Sequence, residues 1–227
     1  MAATERSEHY FTATPTAASR PREVLLELPD LHLTLTTDRG VFAPDAVDVG
    51  TRYLLLDAPM PPTHRALTVA DVGCGYGPIA LTLATRLPQA TVVAVDVNER
   101  ARALCRANAE RHALTNVQVL DPQDVPADLQ IDALYANPPI RVGNEALHGL
   151  LQGWLARLRP EGRAVLVVHK HLGSDSLLRW LDGAGHTTTR LGSRLGYRLL
   201  QIVPGPPTAT SALAAGTTAG TTPAAQP

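Results

Sequence analysis

The chain has 227 residues, of which 44% are hydrophobic and 18% are charged, and its formal net charge at pH 7 is -1. A chain of this length usually forms one large domain, since most domains hold about 100 to 200 residues. The near-neutral charge excludes a polyelectrolyte tail and a uniformly basic nucleic-acid coat, so bulk charge recruits no partner by itself.

Cysteine usage and the apolar runs are typical of a cytoplasmic protein. Cys74 and Cys105 do not form a CxxC pair, which argues against a disulfide framework and against a zinc site. Residues 1–7 are polar, and no run approaches the roughly 18 apolar residues of a membrane span. We therefore expect a cytoplasmic protein with no metal and no membrane contact, and the sequence leaves its oligomeric state open.

The chain divides into three predicted parts. Residues 1–7 are a flexible N-terminus, and residues 8–203 form one ordered domain. Residues 204–227 carry no charge or aromatic ring and consist mostly of Ala, Thr, Pro and Gly, so they cannot bury enough surface to offset the entropy of ordering. We expect them to be a disordered tail. Within the ordered domain, a lid or extension over 8–66 precedes a core over 67–203.

The predicted elements begin in the extension. Residues 31–37 alternate apolar and polar side chains like a half-buried strand, and residues 48–57 have a helical pattern. We expect this part to form a small hairpin lid across the open end of a sheet.

The core alternates strand and helix patterns. A strand over 69–72 leads into a glycine turn, and Pro78 then opens a helix over 79–87. The next strand, 91–95, is followed by Asn98, a typical N-cap of a helix. Further strands are predicted at 117–120, 131–135 and 163–169, further helices at 99–112, 145–158 and 174–181, and an antiparallel hairpin at 187–191 and 197–203. This order predicts an α/β fold: a Rossmann-like, doubly wound, mostly parallel sheet with a C-terminal antiparallel hairpin.

A glycine turn flanked by two carboxylates suits an adenosine ligand. Gly73, Gly75 and Gly77 lack a Cβ, so the backbone can turn tightly and approach a ligand closely. Asp71 precedes the turn, and Asp96 ends the next strand, where a carboxylate can accept both ribose hydroxyls. A pyrophosphate would be repelled by Asp71, whereas the cationic groups of S-adenosylmethionine would be attracted. The structural alternative is that Asp71 ties down the loop and Asp96 caps the next helix.

A second motif follows the strand over 131–135, at Asn137-Pro138-Pro139-Ile140. Two prolines end the strand ladder and leave carbonyl groups unpaired. The Asn137 amide oxygen and the Pro138 carbonyl are neutral acceptors, which can hold both hydrogens of a planar exocyclic amine and face its nitrogen toward a methyl donor. The structural alternative is a rigid turn that starts a loop.

These residues resemble a known family. The segments DVGCGYGP at 71–78, DVN at 96–98 and NPPIR at 137–141 are similar to class I S-adenosylmethionine-dependent methyltransferases of the small-domain type. The flanking segments resemble bacterial 16S ribosomal RNA guanine-N2 methyltransferases, namely HYF at 9–11, GVFAP at 40–44, DVGT at 48–51 and LGSDSL at 172–177. The resemblance implies a transferase in ribosomal RNA processing, with S-adenosylmethionine as cofactor and ribosomal RNA or the small ribosomal subunit as partner.

The resemblance also implies roles for individual residues. The cofactor-binding set comprises Asp71, Gly73 and Gly75 at the methionine end, Asp96 at the ribose, Val97 and Asp121 near the adenine, and Asp48 and Thr51 in a closing segment. The catalytic set comprises Asn137, Pro138 and Pro139, and the substrate-binding set comprises Ile140, Arg141 and Phe42. Ile140 stands where many amino-methyltransferases carry an aromatic residue, so stacking on the base must come from elsewhere or be replaced by apolar contact.

A basic excess lies near the C-terminal end of the core. Residues 157–200 contain eight Arg or Lys and three Asp or Glu. We interpret this excess as an edge that contacts phosphates, and a merely solvated face is the alternative.

The sequence thus predicts an enzyme that transfers a methyl group from S-adenosylmethionine to the N2 amine of guanine in small-subunit ribosomal RNA. One alternative keeps the donor and takes a protein glutamine amide or a small amine as acceptor. Another is a non-catalytic adenosine-binding module or an NAD-dependent oxidoreductase.

Overall fold

The computed structural model describes residues 14–62, 66–139, 142–171 and 173–205, in which a central sheet is covered on both faces. The extension contains β1 (Arg22–Leu28), β2 (Leu31–Thr37) and α1 (Val49–Asp57). The core contains β3 (Thr68–Val72), α2 (Pro78–Arg86), β4 (Thr91–Val95), α3 (Glu99–Arg111), β5 (Val117–Leu120), a 3-10 turn (Pro122–Asp124), β6 (Ile131–Ala136), α4 (Asn144–Leu155), β7 (Leu158–His169), α5 (Ser174–Gly183), β8 (Thr187–Arg194) and β9 (Tyr197–Val203).

Two terminal predictions fall where the structure gives no description. The predicted flexible N-terminus, 1–7, and the predicted tail beyond residue 205 lie outside the described residues. In the described part of the chain, no helix has both the length and the apolar character to cross a membrane.

Seven strands form one sheet in the order β5-β4-β3-β6-β7-β9-β8. The strands from β5 to β7 run parallel, and β9 and β8 are antiparallel to their neighbours. The predicted Rossmann-like sheet with a closing antiparallel hairpin is therefore confirmed. The strand order reverses at β3, so the carboxyl ends of β3 and its neighbour β6 border the crevice where such sheets bind ligands.

Each face of the sheet carries its own apolar core. Along β3 and β4, Val69 and Val92 pack with the hairpin, α1, α2 and α3, whereas Ala70 and Val93 pack with α4 and α5. Apolar residues on both faces are expected of parallel strands covered by helices on each side. The two cores together hold the carboxyl ends of the central strands in place.

The hairpin of β1 and β2 packs along α3. The prediction that it lies across the open end of the sheet is therefore wrong. The Thr36 backbone N–H donates to Asn108 Oδ1 at 2.7 Å, and Asp38 lies 3.8 Å from Arg100 near the start of α3. β2 therefore runs antiparallel to α3. The apolar face of the hairpin needs an apolar surface, which the side of the helix layer provides. Residues 38–48, which follow β2, are the part that reaches the open end.

β7 begins at Leu158, where the sequence predicts the end of a helix. Leu158 pairs with Ile131, and the register then shifts before Ala133 pairs with Arg163. The irregular stretch contains Pro160, which cannot donate a ladder hydrogen bond. A proline argues against a strand, so the sequence pattern did not predict the start of β7. The preceding helix, α4, is correspondingly shorter than predicted.

β8 also runs further than predicted. It continues to Arg194, with an irregularity between Arg190 and Gly192. Gly192, expected in the link between the strands, lies inside β8, where a Cβ would stand 2.6 Å from the Tyr53 hydroxyl oxygen. The turn of this hairpin starts instead at Leu195, whose φ is +50°.

Candidate active site

The turn between β3 and α2 is held at the end of the neighbouring strand. The backbone N–H groups of Gly73 and Cys74 donate to the Val95 carbonyl at 2.8 and 3.0 Å. Gly73 and Gly75 have φ values of +78° and +56°, in the left-handed region that glycine adopts without strain. The turn is thereby fixed beside the end of β4, where Asp96 follows.

The three glycines of the turn have different surroundings. A Cβ on Gly73 or Gly75 would meet no atom within 4 Å, so both face open space. A Cβ on Gly77 would lie 2.5 Å from Leu81 Cδ1 and 2.9 Å from Cys105 Sγ. Gly73 and Gly75 therefore border room in which a ligand can lie, whereas Gly77 allows α2 to pack against α3.

Asp71 lies beneath the turn. Its side chain is fully buried, and Oδ2 accepts a hydrogen bond from the Ala80 backbone N–H in the first turn of α2, at 2.9 Å. Burial raises the pKa of Asp71 to about 8, with the Asp96 charge acting in the same direction and the Ala80 hydrogen bond against it. Oδ1 has no partner within the described residues. The carboxyl group stabilises the start of α2 and keeps one oxygen unsatisfied.

Asp96 links the turn to the next helix. Its Oδ2 accepts from the Gly75 N–H and its Oδ1 from the Asn98 N–H, both at 2.8 Å. Burial raises the pKa of Asp96, although these two hydrogen bonds and the Arg102 charge lower it. Val97 beside it is 40% exposed. A carboxylate next to an exposed apolar side chain suits the ribose and the flat base of an adenosine.

Asp121, at the end of β5, is engaged with an arginine. Its Oδ2 lies 2.8 Å from Arg102 Nη2, and its Oδ1 accepts from the Gln123 N–H at 3.0 Å. Arg102 also donates through Nη1 to the carbonyls of Asp96 and Val97, at 2.8 and 2.9 Å. Arg102 therefore ties the ends of β4 and β5 together. Arg102 was not predicted, because an arginine one turn into a helix belongs to no motif.

The Asn137 amide meets the start of α1. Its Nδ2 donates to Asp48 Oδ2 at 2.9 Å and to Thr51 Oγ1 at 3.0 Å. Asp48 is the N-cap of α1, and the same Oδ2 accepts from the Thr51 N–H at 3.0 Å. The structure thus brings residues from two separate motifs into one hydrogen-bonded group.

A cleft with an empty volume of about 350 Å³ lies between the glycine turn and the hydrogen-bonded group of Asp48, Thr51 and Asn137. Its lining contains the predicted residues Phe42, Asp48, Thr51, Gly73, Gly75 and Asn137, together with Ala43, Cys74, Tyr76, Pro78 and Ile79. The predicted residues Asp71, Asp96, Val97, Asp121, Pro138 and Pro139 stand outside this lining, and Ile140 and Arg141 lie outside the described residues. Tyr76 was not predicted. Its buried hydroxyl has no partner within the described residues, and its place between two turn glycines is the signal that the sequence offered.

The residues of the predicted basic edge have different environments in the structure. Arg198 forms an ion pair with Asp175. Lys170, directly after β7, and Arg194, at the end of β8, are exposed. The Lys170 N–H donates to the Gly196 carbonyl at 2.8 Å, so both residues stand where β7 ends and the last hairpin turns. That is the same edge of the sheet as the end of β6, where Asn137 lies.

A family model described as the methyltransferase small domain matches residues 32–201, from β2 to β9. The chain belongs to this family. The relationship expected from the turn and the Asn-Pro-Pro motif is therefore confirmed.

Individual relatives fall into two size classes. The chain is 31% identical to "Uncharacterized protein YbxB" of Bacillus subtilis (strain 168) over 86% of its own length and 98% of that protein. It is 30% identical to ribosomal RNA large subunit methyltransferase G of Shewanella amazonensis, over 84% of the chain and 51% of that protein. Among solved structures, it resembles the T. thermophilus 16S rRNA N2 G1207 methyltransferase (RsmC) in complex with AdoMet and guanosine, with a TM-score of 0.69 and 26% identity, over 82% of the chain and 51% of that chain. The chain thus spans about half the length of the two ribosomal RNA methyltransferases.

Proposed function

We propose that this protein transfers the methyl group of S-adenosylmethionine to the N2 amine of a guanine in small-subunit ribosomal RNA. The observation that carries the proposal is the Asn137 amide, whose nitrogen is bonded to Asp48 and Thr51 and whose oxygen is left to accept a substrate hydrogen. The donor expected from the sequence, S-adenosylmethionine, agrees with the family and with the AdoMet complex of the T. thermophilus RsmC relative.

The groups at the carboxyl ends of β3 and β4, beside the cleft, suit S-adenosylmethionine. Gly73 and Gly75 leave room beside the turn, and Asp96 with its exposed neighbour Val97 suits the ribose and adenine. The unsatisfied Asp71 oxygen, under the turn, is a polar acceptor near the methionine end. Because the pKa of Asp71 is raised to about 8, this group is not the full negative charge expected from the sequence. When bound, S-adenosylmethionine would supply a methyl group carried on a positively charged sulfur. The sulfur is the leaving group and becomes a neutral thioether.

On the acceptor side, this chain's own groups hold the amine. Asn137 Oδ1 and the Pro138 carbonyl, which accepts no hydrogen bond within the described residues, take the two N–H groups. Held in this way, the nitrogen lone pair is directed at the methyl carbon and away from conjugation with the ring. The nitrogen–carbon bond forms as the sulfur–carbon bond breaks, and the extra proton on nitrogen then passes to water. No strong general base is required.

Charge distribution supports a polyanionic acceptor. Asp96 and Asp121 follow β4 and β5 on the donor side of the sheet edge. Lys170 and Arg194 are exposed on the other side, beyond Asn137. A cationic donor and an RNA backbone are therefore attracted to opposite halves of the same edge.

The choice of the small subunit follows the likeness to RsmC and the flanking segments at 40–44 and 48–51. Because the relatives include a large-subunit methyltransferase, the two targets must be separated by experiment. Tritiated donor is incubated with the enzyme and with small subunits, large subunits, each deproteinised RNA, or total protein. Label in guanosine of small-subunit RNA supports the proposal. Label in large-subunit RNA would mean that the target lies in the large subunit. Label in protein would overturn the choice of RNA as the acceptor.

A further inference from the structure

The orientation of the Asn137 amide is dictated by its neighbours. Asp48 Oδ2 accepts a hydrogen bond from the Thr51 N–H and is therefore an acceptor, so the amide must present its Nδ2 group to it. Thr51 Oγ1 accepts from the same nitrogen, so both amide hydrogens are used on the α1 side. Rotating the amide by 180° would place Oδ1 against the carboxylate, two acceptors facing each other. The oxygen of Asn137 is thereby fixed as the atom available to the acceptor.

Besides the Asn137 amide, two groups bind the Asp48 carboxylate. Its Oδ2 accepts from the Thr51 N–H at 3.0 Å, and the Tyr197 hydroxyl lies 3.3 Å from its Oδ1. Burial, followed by the nearby Asp48 charge, raises the pKa of Tyr197, so the phenol stays protonated and donates. The Tyr197 ring packs so closely on the first turn of α1 that a Cβ on Gly50 would lie 2.4 Å from it. The carboxylate therefore has one position relative to β6.

We propose that Asp48 is a positioning residue for the acceptor, which sets the amide of Asn137 with its oxygen toward the substrate amine. The proposal deepens the function proposed above and rests on it. It also reassigns Asp48, expected from the resemblance to contact the donor, to the acceptor half of the cleft. If the amide were reversed, its NH2 group would face the substrate NH2 group, and two donors would meet in place of a donor and an acceptor.

Two other roles for Asp48 make different predictions. As an N-cap alone, it is replaced well by both Asn and Ser, because both are among the preferred capping residues. As a donor ligand, it affects the affinity for S-adenosylhomocysteine. As a positioning residue, it is replaced poorly by Ser, whose shorter side chain does not carry an oxygen to the place of Oδ2. It is replaced better by Asn, whose oxygen can take that place and accept from both the Thr51 N–H and Asn137 Nδ2.

The test compares Asp48→Ser with Asp48→Asn, with Asp57→Asn on the exposed end of α1 as the matched control. For each variant, kcat and KM with the RNA acceptor, Kd for S-adenosylhomocysteine and Tm are measured. We expect kcat to fall by about tenfold or more in Asp48→Ser and by less in Asp48→Asn, with a nearly unchanged Kd for S-adenosylhomocysteine. The Tm values of these two variants should be similar, because both side chains cap α1. Wild-type kcat in Asp48→Ser, or a parallel loss of product affinity, overturns the proposal.

A second readout does not depend on the acceptor. In a 15N-labelled protein, the side-chain NH2 signals of Asn137 are assigned by their loss in Asn137→Ala. We expect them to shift in Asp48→Ala and to stay in place in Asp57→Asn. Unshifted Asn137 signals in Asp48→Ala overturn the positioning role. A wild-type enzyme that methylates no RNA, with these signals shifted as expected, overturns the proposed function alone.

Discussion

The Gly75 backbone N–H donates a hydrogen bond to Asp96 Oδ2 at 2.8 Å, so the carboxylate at the end of β4 supports the turn at the end of β3. The same carboxylate accepts from Asn98 at the start of α3. The open side of the turn and the carboxylate are therefore parts of one unit. A change in either is expected to alter donor binding.

Replacing Asp96 by Ala should weaken S-adenosylhomocysteine binding by about tenfold to a hundredfold, since hydrogen bonds to charged groups contribute about 1.5 to 3 kcal/mol. Calorimetry measures the affinity, and Asp128→Ala, an exposed change on the far side of the 3-10 turn, is the control. Equal affinities for the two variants would remove Asp96 from the donor site.

Gly75→Ala should also lower the affinity for S-adenosylhomocysteine, because the methyl group enters the open space beside the turn. The positive φ of Gly75 adds strain of about 1 to 2 kcal/mol, which thermal unfolding will detect. Gly149→Ala, in α4 and also facing open space, should keep the affinity and raise stability by about 0.5 to 1 kcal/mol. Unchanged product binding by Gly75→Ala would contradict a ligand position beside the turn.

The stability of the ligand-free protein should fall with rising pH because of Asp71. Its pKa is raised from 3.8 to about 8, so the folded state binds this proton more tightly than the unfolded chain does. Between those two values the group removes at most about 1.4 kcal/mol of stability for each pH unit. Urea unfolding at several pH values compares wild type with Asp71→Asn. The wild-type curve should fall more steeply, and parallel curves would contradict the raised pKa.

Lys170→Ala and Arg194→Ala should raise KM for RNA and flatten its dependence on salt, because each removes one phosphate contact. Affinity for S-adenosylhomocysteine should stay unchanged. Arg111→Ala is the charge-matched control, because Arg111 is bonded to Glu23 at the hairpin on the far side of α3. A rise in KM for Arg111→Ala as large as for Lys170→Ala would mean that the RNA senses only overall charge.

Local sequence patterns were sufficient to predict most of the fold. Residues 91–95 were predicted with the bounds that β4 has, because a short β-branched run between turn residues has few other structures to adopt. The strand from Leu158 was missed, because its pairing across an irregularity is decided by β6 and not by its own residues. The position of the β1–β2 hairpin was missed for the same reason, since it depends on the side of α3.

The candidate site was predictable as a set of residues and not as a set of contacts. The motifs named Asp48, Thr51 and Asn137, but the Asp48–Asn137 hydrogen bond spans 89 residues of chain, and no local pattern encodes it. Tyr197 belongs to a strand whose sequence signals only burial and pairing. Its contact with Asp48 becomes visible only once β9 lies beside β7.

The most direct test of the central claim, that Asn137 holds a guanine amine for methylation, is nucleoside mass spectrometry of small-subunit ribosomal RNA. Cells that lack the protein are complemented with wild type, Asn137→Ala or the exposed control Asn144→Ala. We predict that N2-methylguanosine is restored by wild type and by the control. Cells with Asn137→Ala, at equal protein level and with product affinity retained, should form N2-methylguanosine at about a hundredth of the wild-type rate or less. Full restoration by Asn137→Ala, or an unchanged N2-methylguanosine level in cells without the protein, would contradict the account.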